Sequence, residues 1–206
     1  MKVLLVNGSP RPSGCTNRAL CEIEKELRAQ EISTQIFQLG ADAVSGCRGC
    51  GYCKGSGHCV INDSVNVFAK AASEANGFIF GSPVYYAAVA GGLSSFMDRL
   101  FYSGALNLEY KPAAAVVSCR RGGASATFDQ LNKYFTINNM PIVSSQYWNM
   151  VHGNTPEEVE KDLEGLQVMR MLGRNMAWLL KSIEAGNKSG LPYPLKEEKV
   201  RTNFIR

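Results

Sequence analysis

The sequence predicts an α/β sandwich, a parallel sheet with helices on both faces. Three observations carry this. Short apolar runs alternate with longer amphipathic segments five times along the chain. Most of the apolar runs end in turns built from glycine, serine, proline or arginine. No internal repeat, low-complexity block or composition break interrupts the alternation, so residues 1–185 read as one domain. At 206 residues the chain is long enough to bury a core of that kind.

The elements follow in order. "KVLLV" (2–6) is a buried-strand run, and "NGSPRPSGC" is the turn-rich loop after it. Residues 15–30 place Ala19, Leu20, Ile23 and Leu27 at helical spacing. "STQIFQL" (33–39) alternates and reads as a strand. A cysteine-rich loop, "CRGCGYCKGSGHC", spans 47–59. Residues 63–75 read as a helix, with Asp63 or Ser64 as its cap. "GFIFGSP" (77–83) is a third strand, and 91–101 is helical. "AAAVVSC" (113–119) is a fourth strand, 125–139 a helix, and "PIVSSQYW" (141–148) a fifth strand. One long final helix opens at Thr155 with Thr-Pro-Glu-Glu and runs to about residue 186. Residues 186–206 read as an extended tail lying on the surface or on a partner subunit.

Composition narrows the partners. A net charge of +4 is mild, and the basic residues are scattered rather than interleaved with aromatics. Nucleic acid is therefore not expected as a partner. The first ten residues hold only a four-residue apolar run, too short for a secretory core. No stretch approaches the ~18 apolar residues that span a bilayer. No membrane contact and a cytoplasmic location are expected. In a reducing compartment the seven cysteines read as thiols or metal ligands rather than disulfides.

In parallel sheets of this type, ligands bind at the carboxyl ends of the strands. Three loops there hold the candidate site: 7–18, 81–90 and 118–124. The first combines Ser9, Ser13, Thr16 and Asn17 with Arg11 at a helix start, where free N–H groups and the positive dipole end favour phosphate. It is neither a Walker A loop nor a GxGxxG fingerprint. The second carries Pro83, Val84, Tyr85 and Tyr86, an apolar wall suited to a planar ring. The third pairs Ser118, Arg120 and Arg121 with Gly122 and Gly123, which let backbone approach a ligand. The two histidines, His58 and His152, read as surface or hydrogen-bonded residues, and no catalytic acid–base or nucleophile constellation is visible.

Cys47, Cys50, Cys53 and Cys59 have the spacing C-x2-C-x2-C-x5-C. The first three match the run that wraps a [4Fe–4S] cluster, with Cys59 left to close it. Zinc fits less well, because structural zinc sites pair two short cysteine clusters across a longer loop. A thiol-only loop with no metal remains the open alternative.

"GSPRPSGCTN", "GSPVYYAAVAGGLSSFMDRL" and the "RRGG" turn, in this order, resemble the NADPH-dependent FMN reductase superfamily of flavodoxin-like proteins. "CRGCGYCKGSGHCVINDS" resembles the cysteine motif of the iron–sulfur flavoproteins within it. The resemblance covers roughly residues 1–150. It implies a five-stranded parallel sheet in the order 2-1-3-4-5 and FMN bound without a covalent link. It implies that Ser9, Arg11, Ser13, Thr16 and Asn17 hold the phosphate. Pro83 to Tyr86 and the 118–123 turn would border the isoalloxazine. Cys15 departs from the asparagine common in related loops, which leaves a backbone contact there but no amide one.

Three functions compete on that basis. One is an FMN oxidoreductase moving electrons from NAD(P)H or a reduced carrier to a quinone, flavin or similar acceptor. A second is an electron carrier exchanging with ferredoxin; if the cysteines hold a [4Fe–4S] cluster, these two converge. A third is a regulatory protein that keeps the fold. The basic balance weighs against a flavodoxin-type carrier, and the complete set of three loops weighs against the third. NADPH as donor enters only through the family. A homodimer or homotetramer is expected from the family and from the apolar stripe Leu163, Leu166, Met169, Leu172 and Met176.

Overall fold

The computed structural model describes residues 1–104 and 107–204. The chain forms β1 (Lys2–Asn7), α1 (Cys15–Ala29), β2 (Ser33–Gln38), α2 (Cys53–Ser56) and α3 (Ser64–Ser73). It continues through β3 (Gly77–Tyr85), β4 (Ala88–Val89), α4 (Gly91–Ser103), β5 (Ala113–Cys119) and α5 (Ala124–Ile137). It closes with β6 (Met150–His152), α6 (Pro156–Val159) and α7 (Leu163–Lys188). The sheet order is β2-β1-β3-β5-β6, all neighbours parallel, with the short β4 folded back antiparallel on β3. Counting parallel strands alone, this is the expected 2-1-3-4-5 order of a flavodoxin-like fold.

Period-two alternation splits the core into two layers. Val3, Leu5, Ile79, Ala114 and Val116 face Leu20, Ile23 and Leu27 of α1 and Met169, Leu172 and Met176 of α7. Leu4, Val6, Phe78, Phe80, Ala115 and Val117 face α3, α4 and α5. Phe68 sits at the centre of an aromatic group there, 5.2 Å from Phe37 and 5.4 Å from Phe96, both edge-on.

Glu22 ties α1 to α7. Its carboxylate accepts from Arg170 at 2.7 Å and from Arg18 at 2.9 Å. Burial alone would raise its pKa, but the two arginine hydrogen bonds outweigh it and hold the carboxyl below the usual range. The stabilisation is therefore present above the unfolded value of about 4.3 and is lost as pH falls through the lower folded value. Glu22→Gln is expected to cost about 1–2 kcal/mol at neutral pH. Urea unfolding at neutral and acid pH should show the gap to the unmutated chain closing as pH falls. A gap that stays constant would rule out the ion pairs as its source.

Three sequence expectations change. The fifth strand does not lie at 141–148. That segment makes one isolated bridge, Ala113 to Ile142, and the ladder with β5 resumes only at Met150–His152. Between them Ser145 Oγ bonds locally, its one proton lying within reach of Tyr147 O at 2.6 Å and Asn149 Oδ1 at 2.7 Å, and the chain loops out. The final helix is two helices. Thr155 caps α6, and Asp162 then caps α7 by accepting from Gly165 N–H at 2.9 Å. A Cβ at Gly165 would lie 2.2 Å from that carboxylate, so glycine is what permits the second cap. The apolar stripe is not free for a partner: Leu166, Met169, Leu172 and Met176 are buried under the chain's own sheet, and only Leu163 is exposed.

Residues 191–204 have no regular structure and are exposed. Tyr193 nevertheless meets Tyr110 at 5.3 Å, and Lys196 pairs with Glu109. Among the described residues no helix is long and apolar enough to cross a membrane.

Candidate functional site

The carboxyl ends of β1, β3, β5 and β6 open on one cavity of about 260 Å³. The loop after β1 and the first turn of α1 contribute Ser9, Arg11, Gly14, Cys15 and Thr16. β3 contributes Pro83, Val84 and Tyr85; the end of β5 and the residue beyond it contribute Ser118, Cys119 and Arg120. Gly153 and Asn154 close the wall after β6.

Buried polar bonds pre-form the first loop. Asn7 donates to Gln38 Oε1 at 2.6 Å and accepts from Ser9 N–H at 3.2 Å, while Gln38 donates to Ser9 O at 2.8 Å. Thr16 and Ser118 share a hydroxyl–hydroxyl hydrogen bond of 2.7 Å, which ties α1 to β5 across the cavity floor. α1 starts at Gly14 with no side-chain cap and no acidic residue in its first turn. Its first N–H groups and positive dipole end therefore meet the cavity unneutralised, with the exposed Arg11 on the rim. That arrangement suits an anion.

The opposite wall is a strained hairpin. β3 runs past Pro83 to Tyr85 and returns as β4 through Tyr86 and Ala87. Both turn residues have positive φ, 50° and 58°. Non-glycine residues in that region carry strain, which clusters at functional sites. Tyr86 is fully exposed and Tyr85 half exposed. Gly123 packs beneath them with φ of +90°, where a Cβ would come within 2.7 Å of Ala87 Cα. Tyr85 also lines a neighbouring cavity of about 410 Å³, walled by Gly8, Leu39, Gly40, Ala90, Gly91 and Gly92.

Ser9, Arg11, Thr16, Pro83, Val84, Tyr85, Ser118 and Arg120 thus come together around one space. Ser13, Asn17, Tyr86, Gly122 and Gly123 lie outside its lining. Ser13 and Gly122 are exposed, and Asn17 donates to Cys21 Sγ at 3.5 Å. Sequence reasoning missed Cys119 and His152 as a pair. Their Sγ and Nδ1 lie 3.4 Å apart. Burial pushes the Cys119 thiol up. The only signal was that each ends a neighbouring strand, and β5–β6 register sets Cys119 opposite His152. His58 lies in the cysteine loop, its ring Nδ1 3.0 Å from Ser56 O.

Cys47, Cys50, Cys53 and Cys59 line a third cavity of about 430 Å³, closed by Val60, Ile61 and α4 residues Arg99, Tyr102 and Ser103. Cys59 is clamped at both backbone groups by Asn66 of α3, whose Oδ1 accepts from Cys59 N–H at 3.0 Å and whose Nδ2 donates to Cys59 O at 2.8 Å. Among the described residues no three ligating side chains gather to hold a single metal ion. A [4Fe–4S] cluster asks for another arrangement: each thiolate binds its own iron, so the sulfurs ring a space rather than converge on a point. Four thiols around one cavity fit that demand.

The model of the NADPH-dependent FMN reductase family matches residues 1–155. An iron–sulfur flavoprotein of Methanocaldococcus jannaschii is 34% identical over 192 residues, 89% of this chain and 100% of the relative. The chain belongs to the NADPH-dependent FMN reductase family, in its iron–sulfur flavoprotein branch. A second M. jannaschii iron–sulfur flavoprotein is 30% identical, covering 82% of this chain and 92% of the relative. In three dimensions, a flavodoxin from the domain Archaea aligns with a TM-score of 0.60 at 15% identity, over 88% of this chain and 99% of that one. This member of the family is an FMN-dependent oxidoreductase of flavodoxin-like fold.

Proposed function

We propose that FMN occupies the 260 Å³ cavity with its phosphate on the start of α1 and its ring against the 83–86 hairpin. When bound, FMN supplies the redox chemistry. The chain's residues bind and orient it. The first-turn N–H groups of α1, Ser9, Thr16 and Arg11 hold the phosphate; Ser13 on the loop and Asn17 on α1 stand outside the lining and would have to turn inward to add to it. Pro83, Val84, Tyr85 and Tyr86 set one side of the ring, and Ser118, Arg120, Gly122 and Gly123 the other. Arg120 adds positive charge where negative charge gathers on reduction.

The enzyme then carries electrons from NAD(P)H or a reduced carrier to a quinone, a flavin or a similar small acceptor. The observation that supports this is Tyr85, which lines both the cofactor cavity and the open 410 Å³ space beside it. A second planar molecule in that space would meet the ring across one side chain. The four-cysteine cavity favours a second reading, in which Cys47, Cys50, Cys53 and Cys59 hold a [4Fe–4S] cluster and electrons exchange with ferredoxin. Seven free cysteines accord with a reducing cytoplasm.

Stopped-flow mixing separates the two. Bleaching of bound FMN by NADPH or NADH is expected from the reductase. Fast bleaching by reduced ferredoxin alone would leave the carrier reading in place of the enzyme.

A homodimer or homotetramer is also proposed. With the α7 stripe buried, the support is now the exposed apolar groups Trp178, Leu191, Leu195 and Phe204 along α7 and the 186–206 tail. Light scattering at micromolar concentration should give a multiple of the 22.5 kDa chain mass. A monomer would sink the idea.

A further inference from the structure

Arg99 lies in the middle of α4, 1% exposed, between the core residues Phe96, Met97 and Leu100. A guanidinium buried there is costly unless all of its N–H groups are met. It has five, and five contacts meet them. Nη1 donates to Asp63 Oδ2 at 2.6 Å and to Ser45 O at 3.4 Å. Nη2 donates to Asp63 Oδ1 at 2.9 Å and to Ile61 O at 3.0 Å. The remaining donor, Nε, points at Cys59 Sγ, 3.2 Å away.

Every one of these partners belongs to residues 45–63, the segment that carries the four cysteines. The carboxylate and the carbonyls account for the buried charge. The bond to sulfur is the one that structure alone does not require. N–H donors aimed at ligand sulfur, and positive charge beside it, stabilise the more negative reduced form of an iron–sulfur cluster.

We propose that Arg99 is a positioning residue for Cys59: it fixes the sulfur that closes the ligand set and raises the reduction potential of the cluster held there. This rests on the cluster reading above. Asp63 sets the balance, because its carboxylate partly neutralises the guanidinium that faces the sulfur.

The test is anaerobic reconstitution of the full chain, of Arg99→Lys and of Asp63→Asn, followed by iron analysis and equilibrium redox titration. Lysine keeps the charge but not the fork, and cannot reach carboxylate and sulfur together. Arg99→Lys should lower the reduced-to-oxidised ratio at a fixed potential about tenfold, a shift of about 59 mV for one electron. Asp63→Asn keeps an N-cap on α3, since asparagine caps well, and should shift the potential upward. Simple loss of packing would move both variants the same way. In the metal-free chain, Arg99→Lys should also speed amide hydrogen exchange across 45–61; unchanged exchange overturns the positioning role. An iron-loaded Arg99→Lys with an unshifted potential overturns the tuning while the cluster reading stands. No iron in the unmutated chain overturns both. Where Arg99→Lys fails to fold, Asp63→Asn decides alone, and an unshifted or lowered potential overturns the inference.

Discussion

Thr16→Asp is expected to weaken FMN binding about a thousandfold. Thr16 is the second residue of α1, buried at the cavity floor against Ser118. A carboxylate there would stand against the proposed phosphate. Two unit charges about 4 Å apart repel by about 4 kcal/mol at the effective dielectric of such a site, and each 1.4 kcal/mol is tenfold. The fold should survive. An acidic side chain in a helix's first turn favours the helix, and aspartate can accept the Ser118 hydroxyl that Thr16 now engages. Thr16→Val keeps the shape and loses only the hydroxyl, so about tenfold weakening is expected. Fluorescence quenching of FMN on titration with each variant measures both. If Thr16→Asp stays within tenfold of the unmutated chain, the phosphate does not sit on α1.

Much of this site could be read from the chain before folding it. Loops that follow buried strands announce themselves through composition, and the topology of parallel sheets says where they meet. That logic brought Ser9, Thr16, Tyr85 and Ser118 to one cavity. It failed where local bonds override pattern. Nothing in "PIVSSQYW" shows that Ser145 will donate to its own neighbours and delay the last strand to Met150. Nothing in "TPEEVEKD" distinguishes one cap from two until Gly165 is seen to admit Asp162. The Cys119–His152 pair depends on register between strands thirty residues apart, which periodicity does not supply. Arg99 did leave a trace: an arginine set among Phe96, Met97 and Leu100 has to find a partner if that face of the helix is buried. The partner's identity, a loop and a sulfur rather than solvent, is a tertiary fact. The α7 stripe shows the converse error, since an amphipathic helix in a sandwich covers its own sheet before it offers a face to a neighbour.

Cys50→Ser is expected to remove essentially all bound iron while leaving the chain yellow. The cysteine cavity and the proposed FMN cavity have no lining residue in common. Cys50 is exposed and appears in no hydrogen bond to the fold's core, so its loss removes a ligand and little else. Serine offers a harder oxygen in place of a soft thiolate, and iron–sulfur clusters are held by thiolate. The unmutated chain, reconstituted without air, should hold about four iron and four sulfide. Cys50→Ser should hold neither, with FMN still bound one per chain. Bleaching by a nicotinamide should then persist, because that path needs only the flavin cavity and the space beside Tyr85. Bleaching by reduced ferredoxin should fail if, as the cluster reading has it, that path enters through the cysteines. Iron retained at the unmutated level would strike Cys50 from the ligand set. Loss of FMN together with iron would mean that the two sites are coupled, with α4 as the route: its Gly91 and Gly92 border the 410 Å³ space beside the proposed FMN cavity, and its Arg99 and Tyr102 border the cysteine cavity. No iron uptake even by the unmutated chain would leave an FMN reductase with a thiol-rich loop, and Arg99 would then be a buried cation serving that loop alone.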